Sequence, residues 1–161
     1  YQLLPGKTNV FADNQFVSNS DMSLVSPKEE FWTFLGVDDS VALKRTQVHR
    51  KVTSESTWLG SKSTITSLRY KFTACNKKKD TTEEVVIWDQ LPIVEDKKIT
   101  FTMQSPATKP READTGSGDP YYCVNDSQYI EWILNLKPME ERTFYLEFSV
   151  ETSAEDMVVG L

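Results

Sequence analysis

The chain has little cysteine and histidine, and this scarcity excludes several kinds of site. Its 161 residues contain two cysteines, Cys75 and Cys123, and one histidine, His49. A closed zinc site needs about four Cys or His ligands, so we expect no metal site of that kind. Two cysteines are too few for a disulfide scaffold, and they leave open either two reduced thiols or one disulfide.

Long apolar runs and a leader-like start are also missing. No stretch approaches the roughly 20 apolar residues of a membrane span, and the first residues are neither basic nor continuously apolar. We interpret the chain as an excised fragment, so the missing signal says nothing about the parent protein, and we expect a cytoplasmic location. The glycines of "TGSGDP" (residues 115–120) follow no strand and open no helix, so they do not predict a phosphate-binding loop.

Positive charge is scarce as well, because the formal net charge is −6. An acidic domain repels phosphate backbones and anionic lipid, so we expect neither nucleic acid nor membrane as a partner. The exception is "KRTQVHRK" (residues 44–51), with five basic residues in eight if His49 is counted. We predict a solvated edge strand there, whose charges oppose aggregation, and a local anion-binding patch is the alternative.

Acidic residues are plentiful, but they do not form a candidate catalytic set. Neighbouring residues on a strand point to opposite faces, so a pair such as Glu83 and Glu84 seldom shares one site. The lone His49 has no Ser, Cys or carboxylate placed beside it by the sequence. The aspartates of residues 114–126 could bind calcium, but their spacing matches no EF-hand. We predict no catalytic residues, no cofactor-binding residues and no metal ligands, hence no enzyme.

What the chain does have is period-two alternation of apolar and polar residues, which predicts β-strands with one buried face each. The residues expected to face the core are Leu68, Tyr70, Phe72, Ala74, Ile99, Phe101, Met103, Ile130, Trp132, Leu134, Leu136, Phe144, Leu146, Phe148 and Val150. About eight or nine strands without a helical stripe predict one all-β domain over 1–161. We expect an antiparallel β-sandwich of the immunoglobulin or fibronectin III type, with one long loop.

Turn residues separate these strands. "ADNQ" (residues 12–15) predicts a hairpin turn, and "NKKKDTTEE" (residues 76–84) predicts the charged end of another hairpin. Residues 104–122 are rich in proline and glycine, which predicts a mobile loop or an insertion. Trp58 and Leu59 lie in a turn, where exposed apolar groups tend to find a partner. We predict an interaction tip there, and folding back onto the same domain or sugar stacking are the alternatives.

The stretch "VVIWDQLPIVEDKKITF" (residues 85–101) combines an apolar run with polar residues and a proline. Residues 85–88 are apolar on both parities, which predicts a central strand covered on both faces or one covered by a loop. An unpaired carboxylate on the inner row would be costly, so Asp89 should accept hydrogen bonds from a neighbouring loop. Pro92 marks the end of the strand. We therefore predict a structural corner at Asp89, Gln90 and Pro92.

Four stretches occur in an order that resembles a known family. They are "LLPGKTNVFADNQFVSNSDM", "EEFWTFLGVDDSVALKR", "VVIWDQLPIVEDKKITF" and "FYLEFSVETSAEDMVVGL". Together they resemble the DUF4139 domain, the C-terminal domain of mucoidy-inhibitor-A-like proteins, over nearly the whole chain. The resemblance implies an upstream β-type domain and a coiled coil, and it assigns no catalytic residues. The stretch "TKPREADTGSGDPYYCVND" departs from the family pattern and is longer than usual.

These observations favour a non-catalytic β-sandwich module at the C-terminus of a larger, coiled-coil-containing protein. We expect it to pack against the upstream domains of the same chain and to contact other proteins. The alternative is a carbohydrate-binding module, because β-sandwiches often present aromatic platforms to glycans. An enzyme would require a cleft with facing acids. The sequence indicates no particular oligomeric state.

Overall fold

The computed structural model describes residues 1–12, 14–31, 33–56, 62–106 and 120–153, and these residues form an all-β, antiparallel structure. Its nine described strands are β1 (Gly6–Ala12), β2 (Gln15–Met22), β3 (Val41–Ser56), β4 (Lys62–Asn76), β5 (Glu83–Gln90), β6 (Thr100–Ser105), β7 (Tyr121–Val124), β8 (Tyr129–Leu136) and β9 (Glu141–Ser153). Within the described ranges, no helix is long and apolar enough to cross a membrane.

The contacts divide the chain into two units, residues 1–39 and residues 40–161. The first unit is the β1–β2 hairpin with its flanking segments, which confirms the hairpin predicted at "ADNQ". Asn14 adopts a left-handed φ of 64°, a conformation that asparagine tolerates better than most residues. The prediction of one domain over 1–161 stays a prediction, and a single cooperative unfolding transition of the whole chain would support it.

The first unit buries very little apolar surface of its own. Val25 is its one buried hydrophobic residue among those described, and Phe11 meets Phe16 edge-to-face with ring centroids 5.8 Å apart. Its exposed large hydrophobic side chains are Tyr1, Leu3, Leu4, Phe11, Phe16, Val17, Leu24, Phe31, Phe34, Leu35 and Val37. A two-stranded hairpin is marginally stable by itself in water, so we expect this unit alone to be unstable.

The second unit is a sandwich of two antiparallel sheets, which confirms the predicted fold class. One sheet has the order β3-β4-β9-β6, and the other has the order β5-β8-β7. The aromatic centre of the core joins them: Phe72 stacks on Phe144 at 5.2 Å, and Trp132 lies 5.0 Å from Phe72. Such aromatic pairs stabilise a core beyond the effect of burial alone.

The alternation pattern correctly identifies the core of this sandwich. Twelve of the predicted core residues are buried: Leu68, Tyr70, Phe72, Ala74, Ile130, Trp132, Leu134, Leu136, Phe144, Leu146, Phe148 and Val150. The remaining three, Ile99, Phe101 and Met103, are partly buried against the same cluster. The pattern succeeds because successive strand residues point to opposite faces, so one parity must face the other sheet.

The strand order differs from that of an immunoglobulin constant domain. If β3 to β9 are lettered A to G, the sheets read A-B-G-D and C-F-E, whereas the immunoglobulin constant type reads A-B-E-D and C-F-G. The division into four and three strands is shared. The last strand, β9, occupies the place beside β4 that the fifth strand holds in an immunoglobulin domain.

One alternative for β5 and one expectation about the segment before it are wrong. The strand β5 is an edge strand, because within the described residues it pairs with β8 alone, so the alternative of a central strand covered on both faces is wrong. Among the described residues no loop covers its outer face either, because Val86 and Trp88 are 42% and 62% exposed. The segment "NKKKDTTEE" does not close a hairpin, because β4 and β5 belong to different sheets. This segment is instead a charged, solvated link between the two sheets. A charged link and a hairpin turn have the same kind of sequence, so the sequence does not distinguish them.

Candidate functional site

The strand β5 presents apolar side chains on both of its faces, and only one of these faces meets the core. Ile87 is buried, and Val85 packs against the core cluster. Val86 and Trp88 point the other way and remain 42% and 62% exposed. Large apolar side chains grouped at the surface commonly mark a site of interaction.

The neighbouring strands extend this apolar surface. Val86 lies opposite Ile133 of β8, and Ile133 lies opposite Tyr121 of β7. We call this surface the Trp88 face, and its members are Val86, Trp88, Tyr121, Cys123, Tyr129, Ile133 and the carboxylate residue Glu131. The middle of the outer side of the three-stranded sheet is therefore apolar and aromatic around Glu131, and the polar residues Glu84, Asn135 and Gln90 lie toward the ends of the same side.

The acid of the Trp88 face influences the thiol beside it. Glu131 lies opposite both Trp88 and Cys123 in the strand register. Burial raises the pKa of the Cys123 thiol above its ordinary value, and the negative charge of Glu131 raises it further. Because the thiolate is the reactive form, Cys123 is a poor nucleophile and a poor metal ligand at neutral pH. Within the described ranges, no three His, Cys, Asp or Glu side chains are grouped as a metal site would require.

The two cysteines lie on opposite surfaces of the sandwich. Cys75 neighbours the buried Ala74 and Asn76 on β4, so it points away from the core. Cys123 neighbours the buried Tyr122 on β7 and points away on the other sheet. A disulfide requires Cβ atoms about 4 Å apart, which two outward side chains on opposite layers cannot achieve. Both cysteines are free thiols, so the first of the two alternatives is correct.

Asp89 lies on the inner row of β5, as its parity predicts, but its main partner is not a loop. Its Oδ2 accepts a hydrogen bond from Nε of Arg45 at 2.8 Å, and its Oδ1 accepts one from the backbone N–H of Gln90 at 3.0 Å. Arg45 belongs to β3, the edge strand of the facing sheet. Asp89 therefore connects two layers, where the sequence suggests only a local cap.

Gln90 connects the end of β5 to the turn before β8. Its Nε2 donates to the carbonyl oxygens of Leu91, Ser127 and Gln128 at 3.2, 3.1 and 3.1 Å. The N–H of Leu91 donates to the Gln128 carbonyl at 2.8 Å, and Leu91 itself is buried. Pro92 follows as a half-buried residue just beyond the strand, where no further ladder hydrogen bond is needed.

Two structurally important residues were not singled out by the sequence. Arg45 was grouped with the solvated basic strand, although its parity with Leu43 indicated an inward direction. Asn76 is fully buried, and its Nδ2 donates to the carbonyl oxygens of Thr81, Leu136 and Lys137 at 2.8, 3.1 and 3.2 Å. Asn76 thus joins the β4–β5 link to the β8–β9 link at one end of the sandwich. The available signal in the sequence was an asparagine at the end of an apolar strand.

The predicted interaction tip lies outside the described residues. Trp58 and Leu59 belong to residues 57–61, and the central part of the predicted long loop, residues 107–119, lies outside as well. The flanks of that loop are described: β6 continues to Ser105, and β7 begins at Tyr121.

The fold and its surface define an all-β sandwich with an apolar, aromatic sheet face. A family model described as a domain of unknown function (DUF4139) matches residues 3–153. The match covers nearly the whole chain, and the chain belongs to the DUF4139 family. No match was found among curated proteins, and none was found among solved structures.

Proposed function

We propose that the chain is a non-catalytic β-sandwich module that packs against other domains of its own protein and mediates protein–protein contacts. The observation that supports this proposal best is the Trp88 face. Burying one aromatic side chain at an interface removes roughly 150–250 Å² from water. A partner that covers Trp88 and its neighbours removes this apolar surface from water, and this burial favours binding.

The chemistry of the Trp88 face also specifies what the partner should carry. Glu131 lies among apolar neighbours, and covering an unpaired carboxylate is costly. A partner with an apolar surface and one Lys or Arg opposite Glu131 would avoid this cost. The many exposed hydrophobic side chains of residues 1–39 also favour a covering partner.

The proposed setting follows from the resemblance to mucoidy-inhibitor-A-like proteins. We place this module, which is immunoglobulin-like in its division into four and three strands, at the C-terminus of a larger, coiled-coil-containing cytoplasmic protein. Its upstream domains are then the first candidate partner, because segments of one chain meet at high effective concentration. Other proteins are the second candidate.

Site-directed photo-crosslinking in the full-length parent protein tests this proposal. A photoreactive phenylalanine derivative replaces Trp88 in one variant and the exposed Lys97 in a matched control. We expect a cross-link from position 88 to an upstream segment or to another protein, at several times the yield from position 97. Equal yields from the two positions would remove the Trp88 face from the proposal.

Carbohydrate binding is the second candidate, and one specific observation favours it. Trp88 and Tyr129 are both exposed on the same face of one sheet, where aromatic rings can stack on sugar rings. Titration of the chain with oligosaccharides, followed by tryptophan fluorescence, distinguishes the candidates. A saturable change that Trp88→Ala abolishes would favour the glycan, whereas no change at millimolar sugar leaves the protein partner.

A further inference from the structure

The longest described strand, β3, has an open edge. It spans 16 residues, Val41–Ser56, and pairs along almost its whole length with β4. Among the described strands, β4 is its only neighbour. One side of β3 therefore presents a row of unpaired backbone N–H and C=O groups, which is a ready template for an additional strand.

The open edge is strongly basic although the chain is acidic. The strand contains four Lys or Arg residues, one histidine and one acid, Glu55, in a chain of net charge −6. Arg45 is engaged with Asp89. No acidic side chain of the described ranges forms an ion pair with Lys44, Arg50 or Lys51. Within the described part of the chain, these three charges have no acidic partner that a ligand would have to displace.

The positive charge continues from β3 onto the next strand. His49 lies opposite Arg69, and Thr46 lies opposite Lys71, on the outer side of the four-stranded sheet. Arg69 stacks on the Tyr145 ring at 4.3 Å, and its Nε lies 3.5 Å from Glu147. Tyr145 and Glu147 belong to β9, so these contacts hold the guanidinium over the middle of the sheet. Lys71, opposite Thr46, is the cation of the second strand that a ligand on β3 would meet.

Charge also indicates which occupant the edge accepts. Pairing of β3 with a second copy of itself would place like charges opposite each other, which destabilises a strand pair. The irregularity between Gln47 and His49 twists the strand locally and further opposes pairing between long edges. An extended acidic segment reverses the charge effect, because its carboxylates meet Lys44 and Lys51 in place of like charges.

We propose that the open edge of β3 binds an extended, acidic peptide segment by strand addition. The residues before the irregularity, from Val41 to Gln47, offer a regular stretch of seven that contains Lys44, and Lys51 lies in the second regular stretch beyond it. Side chains that share a face of a strand repeat about every 6.8 Å on both partners, so acids at alternate positions of the peptide lie on the face of Lys44 and Lys51. This surface is separate from the Trp88 face, and the inference does not depend on the proposed function.

A synthetic eight-residue peptide of alternating Glu and Val, carrying a fluorophore, tests the charge requirement by anisotropy with the whole chain. We expect saturable binding that weakens as salt increases. Replacement of every Glu in the peptide by Lys should weaken binding about tenfold or more, which corresponds to about 1.4 kcal/mol. Absence of binding by the acidic peptide at millimolar concentration overturns the proposal.

A pair of variants places the binding on β3. The double variant Lys44→Glu with Lys51→Glu should weaken binding about tenfold or more. The control, Lys97→Glu with Lys98→Glu, makes the same charge change on the link between β5 and β6 and should alter binding less than about twofold. Equal losses in the two double variants would show attraction by overall charge alone and would contradict a site on β3.

A backbone-modified peptide tests strand addition itself. N-methylation of alternate residues keeps every side chain but removes the donors along one edge of the peptide. We expect about a tenfold loss of affinity when the edge facing β3 is methylated. Methylation of the opposite edge should have little effect. If both methylated peptides bind as well as the parent peptide, the contact is electrostatic without strand addition, and the proposal is wrong.

Discussion

The guanidinium of Arg45 joins β3 and β5, the edge strands of the two sheets among the described residues, through Asp89. Its Nε lies 2.8 Å from Oδ2 of Asp89, and its Cζ lies 3.8 Å from the centre of the Tyr70 ring. The Asp89 side chain is 18% exposed and that of Arg45 is 45% exposed. The planar guanidinium can stack on a ring and bind a carboxylate at the same time, which lysine cannot do as well.

Removal of this link should weaken the sandwich. We expect Asp89→Ala to lower the free energy of unfolding by ~1–3 kcal/mol, because the inward part of Arg45 loses its acceptor. A double-mutant cycle with Arg45→Ala, followed by urea denaturation, should give a coupling energy of ~0.5–1.5 kcal/mol. The control is Glu147→Ala, because its ion pair with Arg69 is longer and its carboxylate is more exposed than that of Asp89. An equal decrease in the free energy of unfolding in this control would show that the Arg45–Asp89 pair stabilises the sandwich no more than an exposed ion pair does.

Asn76 should be among the most sensitive polar residues of the chain. Its amide donates to three carbonyl oxygens, and its Oδ1 accepts the N–H of Lys78 at 3.0 Å. We expect Asn76→Ala to cost about 2–3 kcal/mol in urea denaturation, because buried polar groups lose their partners. Asn125→Ala should cost about 1 kcal/mol or less, since the two hydrogen bonds that Asn125 accepts are exposed. Equal costs would contradict this explanation.

Gly36 should resist substitution more than Gly6 in the first unit. Gly36 has a φ of +115°, and a Cβ there would lie 2.6 Å from Cγ1 of Val17. We expect Gly36→Ala to destabilise the β1–β2 hairpin by about 1–3 kcal/mol. The backbone amides of the hairpin should then exchange hydrogen with solvent faster. Gly6→Ala is the matched control, because no atom lies within 4 Å of its added Cβ. Unchanged hairpin exchange in Gly36→Ala would show that the loop adapts at little cost.

The reactivity of Cys123 should respond to Glu131. Burial is the larger cause of the raised pKa of the Cys123 thiol, and the negative charge of Glu131 is the smaller one. Glu131→Gln removes the second cause and lowers the pKa, so more thiolate is present at pH 8. We expect alkylation of Cys123 by iodoacetamide to be about twofold faster, as measured by peptide mass spectrometry. The control Glu84→Gln, on the outer side of β5, should leave the alkylation rate unchanged. An equal increase in this control would show that the net charge of the protein, and not Glu131 itself, controls the rate.

The raised pKa of Cys123 also predicts that stability falls as pH rises through the alkaline range. The folded state holds the Cys123 proton to higher pH than the unfolded state, whose thiol pKa is about 8.5. Above that pH the unfolded state binds fewer protons, so the free energy of unfolding falls as pH rises. Below it, the contribution of the neutral thiol is fully present. We expect Cys123→Ala to show a smaller fall between pH 8 and pH 10 in urea denaturation.

Parity along a strand was predictable from the sequence, whereas the neighbours of each strand were not. The inner rows of β4, β8 and β9 were correct because alternation is a local property. The apolar run of β5 was ambiguous, because a strand covered on both faces and a strand with one open face share the same pattern. The direction of Asp89 was predictable, but its partner Arg45 lies 44 residues away in sequence. Contacts across the two layers depend on which strands become neighbours, and local patterns contain no such information.

The central place of β9 has a consequence for synthesis of the protein. Phe72 of β4 stacks on Phe144 of β9, and β9 pairs with β4 on one side and β6 on the other. At about 5–20 residues per second, a ribosome adds the stretch between these phenylalanines in roughly 4–14 seconds. Throughout that interval, the apolar row of β4 lacks its final neighbour. We expect chaperones that shield exposed strands to bind such a nascent chain until β9 has been synthesised.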